Sequence, residues 1–219
     1  MSNSILKKYN WLKPIVPRDP HEHHRVATSL ELLFDLIFVV AIATAGQQLH
    51  HAIIENHLSH GLLLYFMVFF ALWWAWMNFS WFASAYDNDD AFYRLMVFVQ
   101  IIGSLVIAAG IPIAFQKQDF DIIIIGYVIM RLGLVTQWVR VAIHDSERRQ
   151  TAIKYVFGII IVQCGWLLFH FSPIHFTVYL FALLVVAELS VPLIAEAKQR
   201  TPWHPHHIAE RYSLLTIIV

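Results

Sequence analysis

Residues 29–51 read SLELLFDLIFVVAIATAGQQLHH. Apolar residues dominate the stretch over a length close to the about 20 residues that a spanning helix needs. Two acids interrupt it, Glu31 and Asp35. They stand about one turn apart, so both carboxyls fall on one helical face. Hydrocarbon does not accept two acids on one face without partners or a wet cavity, so this face must look into a bundle. The stretch predicts a membrane helix that belongs to a larger assembly.

The rest of the chain supplies the assembly. Of 219 residues, 58% are hydrophobic and 14% charged, against roughly half and a quarter in soluble domains. The apolar residues come in blocks: Ser29–Leu49, Leu62–Ala85, Ala91–Phe115, Ile122–Ile143, Ile153–Phe171, Thr177–Ala197, and a last one from His207 to Val219. They predict an all-α polytopic transmembrane bundle over residues 28–219, with six full spans and the start of a seventh. Residues 1–27 are polar, hold three prolines and lack the apolar core of a cleavable signal, so the first internal helix is expected to direct insertion. From His207 to Val219 there is roughly 20 Å of helix, short of a bilayer core of about 30 Å. The expectation is that the chain is the front part of a longer protein.

Basic residues set the orientation. Lys7, Lys8, Lys13, Arg18 and Arg25 precede the first block, Arg94 follows the second, Arg140, Arg148, Arg149 and Lys154 flank the fourth, and Lys198 and Arg200 follow the sixth. The intervening loops are nearly bare; Lys117 stands alone. This alternation predicts a membrane protein with a cytoplasmic N-terminal segment, and Glu55 and the Ser172–Phe176 loop on the outside.

Several function classes are disfavoured. Formal net charge is zero, which gives no bulk case for nucleic acid. The single Cys164 excludes an internal disulfide and a multi-cysteine metal site. The sequence has no GxSxG elbow, Walker A loop or GxGxxG turn. The expectation is a non-enzyme without a cofactor, whose partners are the lipid bilayer and protons or a small polar solute.

The candidate site consists of intramembrane charge. At about 1.5 Å per residue, Glu31 lies at the inner mouth, Asp35 roughly 10 Å in and Arg131 about 13 Å from the inner end of its helix. Glu188 lies near mid-membrane, and Glu210 opens the seventh block at the depth of Glu31. Arg131 is the expected partner of the acids, Asp35 above all, because a guanidinium stays charged and binds a carboxylate through two N–H groups. Such a set lines a proton, ion or substrate path, or else fixes helix register through ion pairs. A metal reading rests on His204, His206 and His207, with His206 and Glu210 at i, i+4. Zinc needs three or four converging ligands, and interfacial histidines give the same pattern. The run Trp73-Trp74-Ala75-Trp76 lies too deep for every ring to mark an interface. It predicts bulky packing between helices or an aromatic wall around a site.

These residues resemble a family. Residues 31–39, ELLFDLIFV, are similar to the ELFFDLVFV signature of bacterial low-temperature-requirement A (LtrA) proteins. The Trp73–Phe82 segment with its acidic exit at residues 87–90, residues 108–115, residues 127–131 and residues 207–212 resemble further motifs of that family, from about Thr28 onward. The family pattern continues with a helix ending in Leu-Gly-Glu, beyond Val219. The resemblance implies an integral membrane protein linked to growth in the cold and assigns no reaction. Setting Glu31 on Glu210 also places Leu36 on Leu215 and Val40 on Val219, as a parallel repeat would. Three functional expectations follow: a secondary transporter or proton-linked permease using Glu31, Asp35, Arg131, Glu188 and Glu210; a non-transporting protein that supports cold growth through lipid or partner contacts; and, with least support, a membrane-embedded metal enzyme.

Overall fold

The computed structural model describes residues 12–23, 25–171 and 177–218. Lys7, Lys8, His24 and the Ser172–Phe176 loop lie outside them. The described residues form seven helices: α1 (Ser29–Ile54), α2 (Leu58–Tyr86), α3 (Ala91–Lys117), α4 (Asp121–His144), α5 (Arg149–Phe169), α6 (Thr177–Ala195) and α7 (Pro205–Ile218). The first six are long and apolar enough to cross a membrane. The protein is thus an all-α, multi-pass bundle with the beginning of a seventh helix, as the apolar blocks require.

Helix ends differ from the blocks by up to five residues, because polar residues extend a helix past its apolar part. Thus α1 runs through His50 and His51 to Ile54, and α5 starts at Arg149. At its start α1 is held by a capping box: the Thr28 hydroxyl accepts from the Glu31 N–H, and the Glu31 carboxylate accepts from the Thr28 N–H. Pro205 opens α7, where its missing N–H costs no helical bond.

In space, α1 packs on α2, α3 and α7, and the order then runs α3 to α4, α4 to α5, and α5 to α6. The α3–α4 seam is the tightest. A Cβ on Gly103 would stand 2.7 Å from the Gly126 carbonyl oxygen, and one on Gly126 would stand 2.6 Å from the Gly103 carbonyl oxygen. Backbones touch there because both residues lack a side chain. Gln100 adds an interhelical bond, donating to Gln137 Oε1 at 3.0 Å. Helix α6 meets α2 through side chains: Phe181 packs edge-on to Phe70 with ring centroids 6.1 Å apart. The α2 and α6 backbones thus stand apart there, while α2 and α4 also pack on each other.

The two ends of the bundle differ in charge. Among the described residues, Lys13, Arg18, Arg25, Arg94, Arg140, Arg148, Arg149, Lys154, Lys198 and Arg200 gather at the end where α1 begins, and Lys117 alone marks the opposite end. At the basic end the polar segment of residues 12–27 is a strap docked on the helix termini. The Arg18 N–H donates to the Ala85 carbonyl at 2.9 Å. Arg25 donates to the Ser84 and Ala83 carbonyls at the end of α2. Arg140 of α4 binds both Asp90, the N-cap of α3, and the Lys13 carbonyl. Ile15 of the strap is 2% exposed.

Candidate functional site

Two buried ion-pair clusters lie inside the bundle, one on each side of α2. Residues two apart on a helix point about 200° apart, so Trp74 and Trp76 face opposite ways. Trp76 donates its indole N–H to Asp35 Oδ1 at 2.7 Å. Trp74 donates to Glu188 Oε2 at 2.8 Å. The Trp73–Trp76 run therefore holds the carboxylates of both clusters and also packs, as Phe70 stacked on Trp74 illustrates.

The first cluster joins α1, α2 and α7. Arg211 grips Asp35 with Nε at 3.0 Å and Nη2 at 2.5 Å. Its Nη1 lies 3.5 Å from Glu31 Oε1, and His207 Nε2 lies 3.3 Å from the same oxygen. His207, Arg211 and Leu215 form the buried stripe of α7 at i, i+4 and i+8, with both His207 and Arg211 at 0% exposure. Arg211 also lies over the Phe79 ring at 5.2 Å.

This corrects two expectations. Asp35 does not pair with Arg131; the two stand on opposite sides of α2, and equal depth did not make them neighbours. Glu210 does not join the buried acids, for it is exposed. One residue on a helix is about 100° of rotation, so the stripe that buries His207 and Arg211 turns Glu210 outward. The proposed repeat pairs a buried Glu31 with this exposed Glu210, so the two positions are not equivalent.

The second cluster joins α2, α4, α5 and α6 around Glu188. Arg131 Nη2 donates to both carboxylate oxygens at 3.0 Å. Tyr127 donates to Oε1 at 3.2 Å and accepts from Arg131 Nη2 at 2.5 Å. Trp166 donates to Oε1 at 3.1 Å. Arg131 Nη1 is buried and has no hydrogen-bond partner among the described residues. Pro192, inside α6, has no N–H to give to the main-chain carbonyl of Glu188 four residues earlier. Glu188 is 2% exposed and Arg131 4%. At about 1.5 Å per residue Glu188 sits roughly 16 Å from one end of α6 and roughly 10 Å from the other.

Cavities lie on both sides of this layer. Toward the opposite end, a vestibule of about 520 Å³ is bordered by His60, Asp119, Asp121 and His170 among others. It shares Met67, Phe120, Ile124 and Phe169 with a narrower apolar cavity of about 40 Å³ that reaches Tyr127 and Trp166. Toward the basic end, a small cavity is lined by Trp74, Asn78, Trp81, Trp138, Tyr155 and Pro192. Beyond it Tyr155 donates to Glu196 at 2.8 Å. Tyr127, Trp166 and Trp74 stand in these walls, whereas neither Glu188 and Arg131 nor Glu31, Asp35, His207 and Arg211 do.

The loop between α2 and α3 borders the basic end. Asp87 is 8% exposed, and burial pushes its carboxyl up to about 6, with the nearby charge of Glu31 acting in the same direction. Burial raises Asp90 too, but hydrogen bonds from Arg140 and from the Lys13 and Tyr93 N–H groups outweigh it and hold this carboxyl below its ordinary value.

The histidines are dispersed. His204 is buried, and its Nε2 bonds the Glu22 carbonyl at 2.9 Å while its Nδ1 accepts the His207 N–H at 3.2 Å. His206 is exposed. Among the described residues no three His, Cys, Asp or Glu side chains converge as metal ligands. The sequence reading missed Arg211, His207 as a partner of Glu31, and the donors Trp74, Trp76, Tyr127 and Trp166. The i, i+4 spacing of His207 and Arg211 was the available signal for the first two.

The model of the "Bacterial low temperature requirement A protein (LtrA)" family matches residues 26–219. An uncharacterized protein of Rhizobium meliloti (strain 1021) is 27% identical over 199 residues, which make up 86% of this chain and 47% of that protein. The chain thus spans about half the length of that relative. No solved structure matches.

Proposed function

The chain belongs to the bacterial low temperature requirement A family, and we propose that it is a secondary transporter or proton-linked permease whose path crosses the Glu188–Arg131 layer. One observation carries this reading. The layer is buried ionisable chemistry near mid-membrane, and the groups that bind its carboxylate line cavities on either side: Tyr127 and Trp166 one of about 40 Å³ that joins the vestibule, and Trp74 one of about 10 Å³ toward the basic end. Intramembrane charge is retained at a cost and marks pathways when it adjoins water-accessible space. In this reading Glu188 carries the proton, Arg131 holds the charge balance, and Tyr127, Trp74 and Trp166 fix the carboxylate. Glu31, Asp35, Arg211 and His207 hold α1, α2 and α7 in register. The protein is not an enzyme in this account and needs no cofactor.

The same reading places the chain in the bacterial inner membrane with its basic end in the cytoplasm, because Lys and Arg are retained on that side. The vestibule then faces outward. The orientation is checked by single cysteines at Glu55 and Arg148 after replacement of Cys164: an impermeant thiol reagent should label the first and not the second in intact cells. Transport is checked in proteoliposomes under a pH gradient. Acid-driven flux that Glu188→Gln abolishes supports the path, whereas no flux from the folded full-length protein favours a role in cold growth through lipid or partner contacts.

A further inference from the structure

We infer that the Arg131–Glu188 pair is a proton-gated site for a small organic monocarboxylate: protonation of Glu188 releases the Arg131 guanidinium, which then binds the carboxylate of the solute. This rests on the transport reading and names the substrate class.

Donors exceed acceptors in the layer. Two indole N–H groups, a phenol and a guanidinium surround a single carboxylate. Arg131 reaches Glu188 through Nη2 alone, while Nη1 is buried and has no hydrogen-bond partner among the described residues. A guanidinium that offers two nitrogens to one carboxylate makes the stronger forked pair. The native contact thus leaves donor capacity for a second carboxylate. With Glu188 ionised, a second anion would meet a like charge in a desolvated layer. With Glu188 neutral, the solute leaves the layer with zero net charge.

Among the described residues no other charged side chain hydrogen-bonds to Glu188. From α2 comes Trp74, from α5 Trp166, and from α4 Tyr127 and Arg131. The next acid in the chain, Glu196, just past the end of α6, is bound to Tyr155 and Thr201. Titratable groups of the vestibule border, among them Asp121 and His170 paired at 2.5 Å, lie at the opposite end.

The approach selects the rest of the solute. Met67, Val68, Ala71, Ile123, Phe169 and Phe181 line the narrow cavity above the layer. They accept an apolar group, and they penalise a second carboxylate, which would be desolvated without a partner. The step makes no covalent bond. A proton from the vestibule side adds to the Glu188 carboxylate, the solute anion takes its place on Arg131, and loss of the proton on the other side restores the native pair and expels the solute. One proton moves with one anion, so the cycle is electroneutral.

Pyruvate is a suitable probe, because it stays ionised and crosses lipid slowly by itself. Full-length protein in liposomes should take up labelled pyruvate under an acid-outside gradient, with matching internal acidification, no response to membrane potential and no uptake of malonate. Glu188→Gln mimics the protonated acid. It should bind pyruvate about tenfold or more tightly than wild type at neutral pH, since a competing charge is gone. The double variant Glu188→Gln with Arg131→Met carries no stranded charge and should bind none; its elution as a single species checks folding. A folded Glu188→Gln protein that binds pyruvate no better than wild type or the double variant overturns the inference. Proton-driven flux that ignores pyruvate overturns it while sparing the transport reading, and absence of any proton or solute flux overturns both.

Discussion

The two buried clusters have the same parts and different surroundings. Each holds a carboxylate between an arginine and a tryptophan of α2: Asp35 with Arg211 and Trp76, Glu188 with Arg131 and Trp74. The Asp35 cluster adds a second acid and a histidine and packs α7 onto α1 and α2, away from the three cavities. The Glu188 cluster lies where α2 and α6 meet only through side chains, with cavities on both sides. Composition alone does not separate a fastening from a pathway. Helix spacing does, because a gap between helices is what admits water and solute.

The largest stability effect should come from the fastening. Arg211 serves Asp35 directly and lies near Glu31, so Arg211→Gln leaves two buried acids short of a cation. Breaking a buried pair costs about 3–5 kcal/mol. Thermal unfolding in detergent should fall accordingly, and Arg211→Gln with Asp35→Asn should recover part of the loss. Strict additivity of the two changes would dissolve this cluster as a unit. Arg131→Gln combined with Asp35→Asn should be additive, since the two residues do not share a contact.

A smaller effect is expected at Asp87, beside the fastening. Its folded value of about 6 lies above the ordinary aspartate range near 4. The folded state therefore holds the proton more tightly, so stability is fully present below about pH 4 and declines as pH rises through about 6. Asp87→Asn should flatten that decline and add on the order of 2 kcal/mol above it. A steeper decline in the variant would reverse the assignment.

Effects of about the same size as at Asp87 should come from the tryptophans, and they should differ in kind. Either indole N–H supplies a hydrogen bond to a charged acceptor, worth about 1.5–3 kcal/mol. Trp76→Phe should show its loss as lower stability. Trp74→Phe should show it chiefly as slower flux. Equal changes in both readouts for both variants would erase the contrast.

Much of the architecture was legible in the sequence. Six apolar blocks of spanning length, divided by loops that alternate in basic charge, leave little freedom of fold. Glu188 and Arg131 were legible as buried charge, since nothing else explains ionisable residues at that depth. Their pairing was not, because depth along a helix says nothing of rotation about it or of which helices are neighbours. The same gap hid Arg211: Glu210 drew the assignment, and a rotation of one residue gave the inner face to the arginine. The docked strap was also illegible. Its prolines and charges mark only a polar N-terminal segment, while its contacts through Lys13, Arg18 and Arg25 depend on where distant helices end. The indole donors look like packing residues until the carboxylates are placed beside them.

The central claim is that flux passes the Glu188 layer and that the Asp35 cluster only holds the bundle together. It is tested most directly by comparing pH-driven flux in Glu188→Gln and Asp35→Asn, each scaled to the amount of folded full-length protein in the liposomes. The account predicts loss of acid-driven flux in Glu188→Gln and near wild-type flux per folded molecule in Asp35→Asn, together with reduced stability of the latter. Retained flux in Glu188→Gln, or its loss in a folded Asp35→Asn protein, would contradict it.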